Sequence, residues 1–155
     1  MICTFFGHRD APIDLKGNIK KAITNLIENG IVDFYVGNNG NFDFLVQAVL
    51  LELLNENKSI NCRIVLSYLG ESALCGNQEL TIFPEELDGV IRKFAIPKRN
   101  EYLIKKSTVV VCYVENSFSN SYKWVEKARK KGHRIINLAE YLTAESPLKG
   151  KFIIA

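Results

Sequence analysis

Four short stretches carry the residue types that handle anions and protons. Gly7-His8-Arg9-Asp10 sets an imidazole and a guanidinium directly after a glycine. A guanidinium is always charged and grips phosphate through paired hydrogen bonds, and histidine titrates near neutrality. Gly37-Asn38-Asn39-Gly40-Asn41-Phe42-Asp43 is dense in residues that turn the backbone and expose its N–H groups, and it ends on a carboxylate. Leu69-Gly70-Glu71-Ser72 adds a second carboxylate, and Glu115-Asn116-Ser117-Phe118-Ser119-Asn120 repeats the polar, turn-rich composition. His8, Asp43 and Glu71 are the candidate catalytic groups, although no spacing fixes a carboxylate beside His8. Each loop alone is explained by turn formation. Their convergence on one edge is what argues for a site.

That convergence depends on the elements between the loops. Short apolar or β-branched runs at 2–6, 32–36, 64–68, 109–114 and 135–138 read as strands. The run at 109–114 is apolar almost throughout, as in a central strand covered on both faces. Helical periodicity marks 15–29, where Ile19, Ala22, Ile23, Leu26 and Ile27 form one stripe, with Asp14 as N-cap and Gly30 as terminator. Helices are also expected at 42–55, at 99–106 and at 119–131. Residues 69–91 read as an irregular segment, and 152–154 as an edge strand. Strands alternating with helices predict an α/β, Rossmann-like three-layer domain with a mainly parallel sheet. Right-handed crossovers then place every strand-to-helix loop on one edge, where ligands bind.

A second basic cluster, Arg92, Lys93, Lys98, Arg99 and Asn100, precedes the strongest strand and is within reach of the same edge. Tyr68, Tyr113 and Phe118 are possible stacking surfaces, with core packing as the commoner role for such rings.

The 155 residues suit a single domain, 1–155, large enough to bury a core without disulfides or metal. Apolar residues make up 47% and charged residues 24%, which excludes a disordered chain. Cys3, Cys62, Cys75 and Cys112 form no CxxC pair, and no histidine lies at metal-ligand spacing; reduced structural thiols and no metal are expected. No signal peptide and no membrane span are evident, so the expected setting is cytoplasmic. The net charge of +3 and the lack of a basic stripe in the sequence count against nucleic acid. GxGxxG, GxxxxGK[ST] and GxSxG are all missing, which disfavours ordinary dinucleotide enzymes, P-loop NTPases and α/β-hydrolases. No cofactor is expected. The second helix, 42–55, reads as too apolar to face water and points to a homo-oligomer, a dimer or larger.

The segments Thr4-Phe5-Phe6-Gly7-His8-Arg9 and Phe34-Tyr35-Val36-Gly37-Asn38-Asn39-Gly40-Asn41-Phe42-Asp43 resemble the YpsA-like branch of the SLOG superfamily. Phe94-Ala95-Ile96-Pro97-Lys98-Arg99-Asn100 and Arg134-Ile135-Ile136-Asn137-Leu138 extend the resemblance, which covers residues 2 to 138. That superfamily also includes the LOG-type phosphoribohydrolases and DNA-processing protein A. The resemblance implies a Rossmann-like fold that binds nucleotide-derived ligands. Some superfamily domains sense signalling nucleotides, including ADP-ribose derivatives, in bacterial and phage conflict systems. It also implies a ligand site at Gly7, His8 and Arg9, at Gly37 through Asp43, and at Arg99 and Asn100. The strand-end loop Glu115, Asn116, Ser117 and Phe118 completes the candidate set. Nothing matches the PGGxGTxxE motif of LOG-type enzymes, and Ser117-Phe118-Ser119-Asn120 stands where many relatives have a Gly-Gly pair, so that Phe118 is expected to reshape the cleft.

The function expected is therefore binding of a nucleotide-derived small molecule by a sensor or sequestering protein without turnover. An ADP-ribose-type or cyclic nucleotide signal is the candidate ligand. The alternatives are a nucleotide or N-glycosidic hydrolase of the LOG type, and a nucleic-acid-binding module.

Overall fold

The computed structural model describes residues 1–56, 59–70 and 78–141. Six strands form one sheet: β1 (Ile2–Gly7), β2 (Asp33–Val36), β3 (Asn61–Val65), β4 (Thr81–Ile82), β5 (Val109–Tyr113) and β6 (Arg134–Asn137). The spatial order is β4-β3-β2-β1-β5-β6, and every pairing is parallel. The chain winds outward from β1 to β4, then returns to place β5 on the other side of β1. The reversal between β1 and β5 is the topological switch point, where such sheets open a crevice.

Helices α1 (Lys16–Glu28), α2 (Asn41–Asn55), α3 (Arg92–Lys106) and α4 (Asn120–Lys130) complete the layers. α1 and α2 pack on one face, in a core holding Ile19, Ile23, Leu26, Val46, Leu50, Phe5 and Phe34. α3 and α4 pack on the other, through Leu103, Ile104, Val125 and Ala128 against Phe6, Val110 and Cys112. β5 is buried at all five positions, because both layers cover it. This is the Rossmann-like three-layer architecture expected from the alternation, with a sheet that is parallel throughout.

Several local expectations need correcting. Asp14 does not cap α1. Pro12, with extended backbone, starts a 3-10 turn at Ile13–Leu15 that runs straight into α1, so Leu15 at the N-cap of α1 already has helical backbone. The third strand starts earlier than 64 and ends at Val65; beyond it, the Leu66 N–H still donates to Ile82 O at 2.9 Å. Within 69–91 the described part is not irregular throughout: it holds β4 and two 3-10 turns, Gln78–Leu80 and Glu85–Leu87. α3 begins at Arg92 rather than 99, with Pro97 inside it. A proline at the sixth helical position lacks the N–H for the bond to the carbonyl four residues back and its ring crowds that carbonyl, yet the helix runs through it. Residues 152–154 and Cys75 lie outside the described residues. Cys3, Cys62 and Cys112 are buried free thiols, and burial raises the Cys112 thiol pKa to about 12.

The apolar length of α2 is explained mostly within the chain. Its inner face packs on the sheet and on α1, and Phe83 and Leu80 join the same core. Phe44 and Leu45 remain half-buried and, with Ala11, Ile13 and Asn41, border a shallow groove of about 220 Å³ beside the fully projecting Ile13.

Candidate functional site

A cavity of about 540 Å³ opens at the carboxyl edge of the sheet, on the side covered by α3 and α4. Pockets of this size hold nucleotide-sized ligands. The end of β1 supplies Phe6 and Gly7, followed by His8 and Arg9; the turn after β2 supplies Gly37 and Asn39, with Asp43 from the first turn of α2. α3 presents Lys93, Ile96, Pro97, Asn100 and Leu103, one helical face by their spacing of three and four. Arg99 reaches in from the next position. α4 contributes Ser119, Asn120, Ser121, Lys123 and Trp124, its first turn and the turn after.

The charges around this cavity are unbalanced. Arg9, Lys93, Arg99 and Lys123 face a single carboxylate, Asp43. The first turn of α4 adds the positive end of a helix dipole. Ser119 sits at the N-cap with extended backbone, and its Oγ accepts the Tyr122 N–H at 3.2 Å. The amides of Asn120 and Ser121, also in that first turn, have no partner within the helix.

The floor is buried and hydrogen-bonded. Arg99 is 3% exposed; its Nε donates to Asn100 Oδ1 at 3.0 Å and its Nη1 to Val65 O at 3.3 Å. Its guanidinium and the Asp43 carboxylate both lie against Gly37. A Cβ on Gly37 would lie 2.6 Å from Arg99 Nη1 and 2.7 Å from Asp43 Oδ2, so only glycine fits there. The β2–α2 turn spends its own amides. Asn39 N–H donates to Asp43 Oδ2 at 3.0 Å and Asn41 N–H to Arg9 O at 2.8 Å. Gln47 Nε2 donates to Gly37 O and to Asn38 Oδ1, both at 2.9 Å. The turn therefore does not offer the amides of Asn39 and Asn41 to an anion, contrary to the expectation from its composition. Asn39 Oδ1 is a buried acceptor without a partner among the described residues.

His8 staples the switch point. Its backbone N–H donates to Tyr113 O at 3.3 Å, and its Nε2 accepts the Glu115 N–H at 2.9 Å. Accepting at Nε2 places the ring proton on Nδ1 and leaves no Nε2 lone pair to abstract a proton. The ring edge rests on Tyr113, whose hydroxyl donates to the Glu115 carboxylate. Burial, reinforced by that carboxylate, pushes the Tyr113 hydroxyl pKa up to about 12. Ser121 Oγ donates to Gly7 O at 2.8 Å, which ties α4 to the end of β1.

Of the residues singled out in the sequence, Gly7, His8, Arg9, Gly37, Asn39, Asp43, Arg99 and Asn100 come together around the cavity. Lys93, Ser119 and Asn120 join them, and the remaining candidates do not line it. Asn38 is buried behind the turn, and Phe42 is 1% exposed in the core beneath Gly7. Gly40, at φ +88°, packs against the Arg9 backbone. Glu115 serves Tyr113 and His8, Asn116 Oδ1 accepts the Phe118 N–H at 3.1 Å, and Ser117 is exposed. Phe118 points into solvent, 95% exposed, and does not narrow the cleft. Tyr68 lies under the Arg92 guanidinium at 3.9 Å, away from the cavity. Glu71 lies outside the described residues. Composition alone did not single out Ser121, Lys123 and Trp124; their signal is position, in the first turns of a helix that follows the central strand.

Among the described residues no group of three or more His, Cys, Asp or Glu side chains is placed to hold a metal ion. Among them, too, no helix is long and apolar enough to cross a membrane. No protein-family model and no curated protein matches the chain. Among solved structures, the X-ray structure of DNA processing protein A from Streptococcus pneumoniae is similar over 86% of this chain, with a TM-score of 0.62 and 17% sequence identity. The match spans 48% of that protein's length, so the chain corresponds to about half of it. The likeness is one of fold.

Proposed function

We propose that this protein binds a phosphate-bearing, nucleotide-derived small molecule in the switch-point cavity, as a sensor or sequestering protein that does not turn it over. The observation that carries this reading is the cavity's charge imbalance, four cations and a helix N-terminus against one carboxylate. The state of His8 supports binding over catalysis, because its Nε2 is already committed to the Glu115 amide. The fold, shared with a protein of the superfamily that the sequence resembles, agrees with this reading. A cytoplasmic setting fits the buried free thiols. Mass spectrometry of small molecules released on denaturing the purified protein tests the proposal, alongside a thermal-shift screen of nucleotides. A ligand at one hundred times its Kd should stabilise by about 2.7 kcal/mol. Release of a free base or a ribose phosphate on incubation would instead establish a hydrolase.

Arg9 is the expected affinity anchor. It is exposed, lines the cavity and makes no ion pair among the described residues. Its backbone is held by Asn41 and by the close approach of Gly40. Arg9→Ala should weaken binding of the released ligand about ten- to a hundredfold, the loss of charge-assisted bonds worth about 1.5–3 kcal/mol. The melting temperature should stay unchanged, and Arg9→Lys should restore only part of the affinity. Titration calorimetry with thermal melts reads both; unchanged affinity with a lowered melting temperature makes Arg9 structural.

A second reading has its own observation. α3 exposes Arg92, Lys93, Lys98, Lys105 and Lys106, and α4 exposes Lys123, Lys127, Arg129 and Lys130. The fold packs both helices on the same side of the sheet. A nucleic-acid-binding module would show affinity for a single-stranded oligonucleotide that falls steeply with salt, and a salt-independent response rejects it.

We also propose self-association through the outer side of α2. Ile13, 81% exposed, and half-buried Phe44 and Leu45 would meet their counterparts in a second copy. Light scattering at micromolar concentration should give at least a dimer, and Ile13→Asp should dissociate it. A wild-type monomer removes the idea.

A further inference from the structure

α4 brings to the cavity one large aromatic side chain that the anion argument does not use. Trp124 is the single tryptophan of the protein and lines the cavity from the second turn of the helix. It is half-buried and packs against the core that holds Leu103, Val125 and Ala128. Its indole N–H makes no hydrogen bond among the described residues and is not shut off from water. An indole N–H that is fully buried normally finds an acceptor, so this ring edge belongs to the open part of the structure. Helical side chains lean towards the helix N-terminus, and the N-terminus of α4 is its end at the cavity, where Ser119, Asn120 and Ser121 stand. Lys127, one turn farther along and not part of the lining, lays its ammonium 4.5 Å from the centre of the indole. That cation occupies one face of the ring. From α3, half-buried Ile96 and exposed Pro97 bring apolar surface to the same cavity.

We infer that the indole face of Trp124 away from Lys127 is the platform on which the heteroaromatic base of a nucleotide stacks. The inference rests on the nucleotide-binding reading above and adds a base subsite to it, with the phosphate left to Arg9, Lys93 and the first turn of α4. A flat base suits this place better than an aliphatic chain. Stacking needs one broad ring face and leaves the edges of the base in water, whereas a chain needs apolar enclosure, and most residues lining this cavity are polar. Every base has a π-face, so Trp124 selects nucleotides over sugar phosphates without choosing among bases.

The test uses the full chain with AMP and ribose 5-phosphate as probes, two molecules that differ only in the base. Calorimetry gives the affinities, and the fluorescence of the single tryptophan, excited where adenine does not absorb, reports directly on Trp124. In the wild type, AMP should bind about ten- to a hundredfold more tightly than ribose 5-phosphate and should change the fluorescence saturably, with a midpoint at the calorimetric Kd. Ribose 5-phosphate should leave the emission as it is. Trp124→Ala should remove the advantage of AMP without weakening ribose 5-phosphate, and Trp124→Phe, which keeps a ring, should retain most of it. Lys93→Ala/Lys123→Ala should weaken both probes. Equal binding of the two probes to wild type overturns the base subsite and leaves the anion cavity standing. AMP that binds without altering the fluorescence, or an advantage preserved in Trp124→Ala, overturns the role of Trp124. If neither probe binds, the subsite falls together with the nucleotide reading. The wild-type measurements decide even where the alanine variant fails to fold.

Discussion

Gly7→Ala should lower stability by about 3 kcal/mol, a fall of roughly 6–12 °C in Tm for a domain of this size. A Cβ at this position would lie 2.2 Å from Phe42 Cγ, inside the ring's own van der Waals surface. Phe42 cannot swing away, because it is 1% exposed and packed among the core residues between β1 and α2. The strain falls on the first turn of α2, which also carries Asp43. Ligand affinity should therefore drop along with stability. Phe42→Ala, which removes the three atoms the new Cβ would meet, destabilises alone but should cost much less in the Gly7→Ala chain; that non-additivity identifies the ring as the cause. A melting temperature for Gly7→Ala within about a degree of wild type would show that the ring has room to move.

Arg99→Leu should cost about 3–5 kcal/mol and abolish binding in the cavity. A buried guanidinium removed from a polar network leaves its partners buried and unsatisfied. Those partners are Val65 O and Asn100 Oδ1, and the Asp43 carboxylate lies with the guanidinium against Gly37. The loss should be strongly non-additive with Asp43→Asn: a double-mutant cycle by chemical denaturation should return a coupling of at least about 1 kcal/mol. Additive losses would mean that Arg99 and Asp43 act separately, with Val65 and Asn100 carrying the stability of α3. Arg99→Lys should not rescue, because one ammonium cannot reach Val65 O and Asn100 Oδ1 in the plane that the guanidinium uses.

The sheet was legible because its strands alternate with helices of clear 3.6 periodicity, and parallel pairing follows from that order. β4 was not, since two residues, Thr81 and Ile82, carry no periodicity; only pairing with β3 defines them. Pro97 hid the first two turns of α3, residues 92–98, and with them the helical face that carries Lys93 into the site. The loops after β1 and β2 were legible as polar turns at strand ends. Their internal wiring was not, because composition does not say whether an amide is spent on a neighbour, as Asn39 N–H is on Asp43. Phe118 misled for a related reason. An aromatic ring in a site loop suggests a wall, but side-chain direction there is set by the turn around Asn116, and it points the ring outward.

The long-range pairing of β1 bears on when the site comes into being. β1 pairs with β2 across about thirty residues, but with β5 across more than one hundred, as in Cys3 with Val109. Chain emerging from a ribosome can form β1, α1, β2, α2 and β3 early, and that unit already contains Arg9 and Asp43. It contains none of α3 or α4, and it lacks Tyr113 and Glu115, which hold His8 in place. Closing the largest loop is thus the step that creates the cavity, and slow, non-local closure is the costly one. A ligand present during synthesis has nothing complete to hold until that closure, so it favours the finished fold without steering the path to it.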